Sequence, residues 1–420
     1  KAGEIYGTTK LVLSNGVTVY VKPTDFKADQ IVMKGVSFGG TSVFQNEEII
    51  NISQLNGVAL VGGIGNFSKV DLGKALAGKR ANVGAGIGNT TETVSGSCAP
   101  KDFETMMQLT YLTFTSPRKD NEAFESYKNR LKAELQNADA NPMTAFSDTI
   151  TSVLYGHHPR AIRMKENMVD QTDYDRILEM YKDRYKDASD FTFIFVGNVD
   201  VEKMKPVIAE YLGALAAVNR KETFTDNNIE MRQGIYKNEF TKQQETPKAS
   251  VFAFYNGDCK YDLRNNLLLS MTSQILDLVY TEKVREDEGG TYGVYVGGTL
   301  QKYPKEKAIL QIIFDTAPEK KEKLMKIIFG EIDNITKTGP SEANLNKVKE
   351  YMLKKHTEDQ KENSYWLGSI DEYLYTGMNR MNDYEKIVNS ITVNDIRKFA
   401  DDLFKQKNEV EVTMVSPEKK

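Results

Sequence analysis

The chain alternates segments in which every second residue is apolar with longer segments in which apolar residues recur at helical spacing. Residues 10–13 and 17–22 are two alternating segments that flank Ser14, Asn15 and Gly16. An Asn-Gly pair between such segments is a strong signal for a β-hairpin, because both residues tolerate the backbone angles of a tight turn. The chain is therefore predicted to begin with two antiparallel strands.

The other periodicities predict a mixture of strands and helices along the whole chain. Further strands are predicted at residues 30–38, 80–88, 92–98, 190–196, 250–255, 291–300 and 308–316. Helices are predicted at residues 49–61, 121–137, 264–285 and 342–359, with a shorter helix that Ser68 caps.

This order of elements occurs twice, at an offset of about 219 residues. Residues 173–198 and 392–417 each contain an amphipathic helix followed by an alternating strand. Val196 and Val415, which end these strands, lie 219 positions apart. Self-similarity of this kind indicates two copies of one structural unit.

A second match in the same order supports the repeat. Cys-Ala-Pro at 98–100 and Thr-Ala-Pro at 316–318 each precede a helix, and a long charged helix follows in both copies. We predict an α+β fold of two homologous units, each a mainly antiparallel sheet packed on one side by helices. The first unit covers residues 1–219, a polar linker covers 220–233, and the second unit covers 234–420.

Composition and charge exclude several classes of function. The 420 residues carry 55 Lys and Arg against 59 Asp and Glu, a net charge of −4. A protein that binds mainly nucleic acid needs a basic excess, so nucleic acid is not expected as a partner. The sequence contains no apolar run of the length that spans a membrane, and no membrane span is predicted.

The histidines and cysteines do not form a recognisable catalytic set. His157 and His158 are adjacent, His356 stands alone, and neither H-E-x-x-H nor H-x-x-E-H is present. We expect structural or surface roles for all three histidines and no metal site in this chain. Cys98 and Cys259 are interpreted as two free thiols, although the sequence leaves a disulfide open.

One segment combines side chains that can bind a substrate with glycines that end a helix. Residues 284–298 read VREDEGGTYGVYVGG, so that Arg285 ends a long apolar helix and Tyr292 opens an alternating strand. The helix dipole favours a cation in the last turn, and Gly-Gly permits the turn that follows. Arg285 and Tyr292 are candidate substrate-binding residues. The alternative is that they are a helix-end charge and a packed strand residue.

The arginine and tyrosine with six residues between them, and the GGTYGV that opens the strand, resemble the C-terminal half of pitrilysin/insulysin-type zinc peptidases. These are the enzymes with an inverted H-x-x-E-H motif. LSNGVTVYVKPTDFKADQIVMKGVSFGGTS at 13–42 is similar to the opening hairpin and strand of such a half. GNFS at 65–68 and LAGKRANVG at 76–84 are similar to the non-catalytic third domain of bacterial members.

The resemblance implies a pair of α/β-roll domains, domains three and four of the family, in which Arg285 and Tyr292 contact bound peptide. It places the zinc, with H-x-x-E-H and a downstream glutamate, on an N-terminal catalytic half that closes a peptide chamber with this half. Residues 47–63, where a catalytic copy would carry its zinc helix, contain no histidine. No metal ligand can therefore be assigned to this chain, and the chain alone is expected to be inactive.

Because the sequence begins with Lys1, we expect a piece of a longer bacterial enzyme, with a separate subunit as the other option. Two further interpretations stay open, namely a scaffold subunit that has lost catalysis and a free-standing peptide-binding or chaperone-like module. The resemblance implies a periplasmic or exported location, and a cytoplasmic one stays open.

Overall fold

The computed structural model describes residues 5–288 and 293–417, with the backbone alone for residues 285–288. The strands are β1 (Thr9–Val12), β2 (Thr18–Pro23), β3 (Ile31–Phe38), β4 (Ala81–Ile87), β5 (Thr91–Cys98), β6 (Thr192–Gly197), β7 (Ile235–Thr241), β8 (Ala249–Asp258), β9 (Val294–Gln301), β10 (Lys307–Thr316) and β11 (Glu409–Val415). The helices are α1 (Ile49–Val58), α2 (Lys69–Ala75), α3 (Phe103–Thr115), α4 (Asn121–Ala140), α5 (Pro142–Tyr155), α6 (Tyr174–Tyr185), α7 (Val201–Tyr211), α8 (Leu263–Glu288), α9 (Lys321–Lys337), α10 (Glu342–Asp359), α11 (Asn363–Thr376), α12 (Tyr384–Ser390) and α13 (Val393–Phe404). No helix in these ranges combines the length and the apolar character that a membrane crossing requires.

Two sheets with the same topology carry the fold. The first has the order β1-β2-β6-β3-β5-β4 and the second the order β7-β11-β8-β10-β9. Without β1 the two orders correspond strand for strand, as a repeated unit requires. Each sheet is mixed, because β2 pairs with β6 and β7 with β11 in parallel, while the other neighbours are antiparallel. The predicted α+β class is confirmed.

Most predicted elements are present near their predicted positions. The β1–β2 hairpin pairs in antiparallel register around the Asn-Gly turn, and α8 extends only slightly beyond its predicted ends. Strand β7 was not predicted. It lies at the edge of its sheet, and every second residue faces solvent, so its sequence resembles the polar stretch before it.

The first compact unit contains the residues up to Asn137, Met164–Asn228 and Glu358–Tyr375. Helices α1, α3, α6 and α7 bury one face of the first sheet. The other face is covered by α11, whose Ile370 is fully buried against Ile194 and Val196 of β6. The contact is extended by Lys34 of β3, whose ammonium lies 2.5 Å from the carboxylate of Asp371.

The second compact unit contains Ala138–Arg163, Ile229–Thr357 and the residues from Thr376 onward. Helices α8, α9, α10 and α13 bury one face of its sheet. The other face is covered by α5, whose Phe146, Val153 and Leu154 pack against Phe252, Phe254, Val410, Val412 and Met414 of the central strands.

Each compact unit therefore includes one helix from the other copy of the repeat. α5 and α11 hold the same place in the two copies, since Pro142 and Asn363 begin them 221 positions apart. The expectation that helices cover only one side of each sheet was wrong. Strands β6, β8 and β11 are buried along nearly their whole length, and such strands need a cover on both faces.

The segment predicted as a linker contains no helix or strand but lies in fixed contacts. The backbone N–H of Lys221 donates to a carboxylate oxygen of Asp190. The backbone N–H of Thr225 donates to Oγ of Ser42 at 2.9 Å, and the amide of Asn227 donates to the Ser42 carbonyl at 3.0 Å. Residues 220–228 therefore belong to the first unit.

Two substitutions in α11 test its role as a cover. Ile370→Ala should lower the free energy of unfolding by about 2–5 kcal/mol, because a fully buried side chain is removed from between helix and sheet. Gly368→Ala in the same helix is the control. A Cβ there meets no neighbour, so it should leave stability unchanged or raise it by about 1 kcal/mol. Urea denaturation measures both, and an Ile370→Ala variant as stable as the parent would contradict the assignment.

Candidate functional site

The helix that carries Arg285 is anchored deeply in the second unit. Tyr280 is fully buried, and its hydroxyl donates to the carbonyl of Ile328 at 2.9 Å. Val284 is also buried, one residue before Arg285. Arg285 lies in the last turn of α8, as predicted, but its side chain and the whole of Tyr292 are outside the described residues. The proposed pairing of these two side chains stays a prediction.

The strand after this segment packs closely against α8. A Cβ at Gly298 of β9 would collide with Oγ of Ser273 and would lie 2.9 Å from Cγ of Leu269. Glycine in a strand commonly marks such an approach. Helix α8 and strand β9, which precede and follow residues 289–292 in the chain, are therefore packed against each other at Gly298.

The region that would carry the zinc-binding helix of a catalytic copy instead forms packing contacts and hydrogen bonds within this chain. Helix α1 contains Gln54, whose side-chain oxygen accepts a hydrogen bond of 2.9 Å from the hydroxyl of Tyr127 on α4. The Tyr127 ring lies over Gly57, where a Cβ would collide with the hydroxyl. The Asn56 amide bonds to both the N–H and the carbonyl of Ile87, at 2.8 and 2.9 Å. The polar groups of α1 therefore bind neighbouring protein groups.

A cluster of buried charged groups lies beside the Gly39-Gly40 turn, which precedes α1 in the chain. The N–H of Gly40 donates to a carboxylate oxygen of Glu92 at 2.7 Å, and Glu92 is fully buried. The guanidinium of Arg184, which is 1% exposed, lies 3.8 Å from Glu92 and 2.9 Å from Glu222. A Cβ at Gly39 would collide with Arg184, which gives the turn a structural reason for glycine.

This cluster was not predicted from the sequence, although a signal exists. Ile177, Tyr181 and Arg184 are spaced i, i+4 and i+7 on α6, so the arginine stands in the apolar stripe. Glu92 likewise takes an inward position of β5, alternating with Thr91 and Thr93. When the helical or strand periodicity assigns charged residues to the core, a buried ion pair is indicated.

Histidine and cysteine contribute no metal centre in the described ranges. Within residues 5–288 and 293–417, no three His, Cys, Asp or Glu side chains are grouped so that they could hold a metal ion. His356 is buried and stacks on Tyr384 with ring centroids 3.8 Å apart. Cys98 and Cys259 are unpaired, as interpreted from the sequence, and burial raises the pKa of each thiol, to about 12 and about 11. Both are therefore poor nucleophiles at neutral pH.

Comparison with known proteins finds a family model and several relatives that are similar to this chain. Residues 172–352 match the family model of the Peptidase M16 inactive domain. A zinc protease PQQL-like protein of Arabidopsis thaliana is 25% identical over 380 residues, which are 87% of this chain and 37% of that protein. The chain spans between 36% and 40% of the length of the curated relatives that it matches.

Solved structures share the fold. The periplasmic protease PqqL from Escherichia coli gives a TM-score of 0.84 at 19% identity, over 99% of this chain and 46% of that one. The peptidase M16 inactive domain from Pseudomonas fluorescens gives 0.79 at 18% identity, over 98% of both chains. The fold is therefore that of the M16 inactive domain. The predicted resemblance to the C-terminal, non-catalytic half of a pitrilysin-type zinc peptidase is confirmed.

The buried carboxyl group makes a testable contribution to stability. Burial raises the pKa of Glu92 from its ordinary 4.5 to about 7, against the opposing effects of the Gly40 N–H and Arg184. Between these values the folded protein holds the proton and the unfolded chain releases it. This group's contribution to stability therefore falls as pH rises from about 4.5 to 7 and is constant above that.

Glu92→Gln keeps the shape of the side chain and removes its titration. The unfolding free energy of the parent minus that of the variant should decrease by about 3 kcal/mol between pH 4.5 and 7, measured by urea denaturation. Glu47→Gln, which removes an exposed carboxylate of the same unit, is the control for the loss of one negative charge. A pH-independent difference for Glu92→Gln would show that the raised pKa is wrong.

Proposed function

We propose that this chain is the C-terminal, non-catalytic half of a zinc metalloendopeptidase and that it closes a peptide chamber over a catalytic half. The observation that carries the proposal is the match to the M16 inactive domain. The curated relatives described as zinc proteases are longer than this chain. Residues 1–219 and 234–420 would be domains three and four of the family.

The proposed contribution to the reaction comes from Arg285 and Tyr292. Zinc in the other half would supply the activated water. The guanidinium and the phenol of this half can both donate hydrogen bonds to the carbonyl of the peptide bond and to the negative charge that develops on its oxygen. Donors of this kind act best when they need no rearrangement during the reaction. The close packing of Gly298 of β9 against Ser273 of α8 supports the proposal, because it holds together the helix and the strand that precede and follow this segment.

The partners and location follow from the same proposal. The partner is an N-terminal catalytic half, from the same precursor or as a separate subunit, and the substrate is a peptide. One structural relative is described as a periplasmic protease. We infer a periplasmic or exported location for this chain as well.

Substitutions in the complete enzyme test the proposed contacts. Arg285→Ala and Tyr292→Phe should each lower kcat for a fluorogenic peptide by about 10²-fold, the typical effect of removing one donor to the oxyanion, while the zinc content stays at the parent level. Tyr295→Phe is the matched control, since Tyr295 is an exposed tyrosine on β9 and should not change turnover. Parent-like kinetics in both variants would leave Arg285 and Tyr292 as structural residues.

The isolated chain provides a second test. After treatment with a chelator and reloading with zinc, it should retain no stoichiometric zinc by elemental analysis and should cleave no peptide, because its described residues offer no ligand group. Addition of the catalytic half should raise the activity of that half. A zinc-dependent peptidase activity from this chain alone would exclude the proposal that the zinc site belongs to the catalytic half.

A further inference from the structure

A groove lies between α8 and α10 in the second unit. It has a volume of about 490 Å³, which is within the range of ligand sites. Its walls are Gln274, Asp277 and Leu278 of α8 and Lys347, Val348 and Tyr351 of α10. None of these residues has a part in the zinc chemistry proposed above.

The corresponding helix pair in the first unit, α1 and α4, is packed differently. There Tyr127 of α4 fills the space against α1, with its ring over Gly57 and its hydroxyl on Gln54. Tyr127 is matched by Val348 in the repeat, 221 positions later. The smaller side chain leaves the space between the helices of the second unit unfilled.

The α8 wall also differs in charge from its counterpart. The face of α1 under Tyr127 carries Gln54 and Gly57, neither of which is charged. The wall of α8 that lines the groove carries Gln274 and Asp277. A carboxylate therefore stands at the groove of the second unit.

The groove joins an apolar surface to an acidic group. Val348 is buried, Leu278 is half-buried, and Tyr351 exposes 57% of its surface. Asp277 is exposed and has no ion-pair partner among the described side chains, and the desolvation by neighbouring groups raises its pKa. The neighbouring cation, Lys347, lies 3.9 Å from the carboxylate of Glu282 instead.

We propose that this groove binds a lysine or arginine side chain of a peptide segment. The methylene stem would lie along Leu278 and Val348, and the charged head would meet the carboxylate of Asp277. Long basic side chains bury their stems on apolar surfaces in this way, and the Tyr351 ring can add a cation–π contact. The site is complete in this chain, so it can be tested without a catalytic half.

Binding is measured by fluorescence anisotropy with the purified chain and three labelled peptides of sequence Gly-Ser-Gly-Phe-X-Leu-Gly-Ser-Gly. X is arginine, glutamine or glutamate. At about 0.1 M salt the arginine peptide should bind at least about tenfold more tightly than the glutamate peptide, with the glutamine peptide between them. Equal affinities for the three peptides, or no binding of the arginine peptide, would overturn the proposal.

Asp277→Asn removes the charge and keeps the shape. It should weaken binding of the arginine peptide by about tenfold, as expected for loss of a charge-assisted hydrogen bond, and should leave the glutamine peptide unchanged. Glu350→Gln, an exposed carboxylate of α10 outside the groove, is the control and should change neither. An unchanged affinity of Asp277→Asn for the arginine peptide would contradict the assignment.

Val348→Tyr copies the filled groove of the first unit and should abolish binding of all three peptides. Its folding is checked by thermal denaturation. If it does not fold, Tyr351→Ala gives a second measurement, because this exposed ring can be removed without opening the core, and binding of the arginine peptide should weaken several-fold. Retained binding in a folded Val348→Tyr variant, or parent-like binding in Tyr351→Ala, would overturn the proposal. None of these results depends on Arg285 or on peptide turnover, so this proposal and the proposed function can fail separately.

Discussion

The structure depends on central strands that are apolar on both faces. Strands β6, β8 and β11 bury almost every residue, so a sheet with helices on only one side would expose a wide apolar surface to water. The chain meets this constraint by using α5 and α11, the same element of each repeat copy, as the second cover of the other copy's sheet. The two copies of the repeat therefore depend on each other to bury their central strands.

Local elements could be predicted because their signals are local, whereas the covers could not. The Asn-Gly hairpin and the long helix before Arg285 follow from patterns within short windows, and the repeat follows from comparing such windows along the chain. An amphipathic helix such as α5 shows that it needs an apolar partner, but nothing in its sequence says which sheet it covers. The edge strand β7 was missed for a related reason, since its alternate residues face solvent and its composition is that of a loop.

The functional and buried charged residues also differ in whether the sequence alone could reveal them. Arg285 and Tyr292 were found through a family pattern, and the helix around Arg285 formed where predicted. The cluster of Glu92, Arg184 and Glu222 joins a strand, a helix and the segment predicted as a linker, so only the folded chain brings it together. Its charges stand at positions that periodicity assigns to the core. Sequence reasoning could have marked those positions as exceptions without identifying their partners.

The two helix grooves show why one fold can hold different chemistry in its two copies. Stability rests on the sheet faces and their covers, and these are alike in both units. The surface between the paired helices is less constrained, because a tyrosine fills it over a glycine in one copy and a valine leaves it open beside Asp277 in the other. The side chains between these paired helices can therefore differ between the two copies while the sheets and their covers stay alike. Function in this fold has to be argued groove by groove from the side chains present.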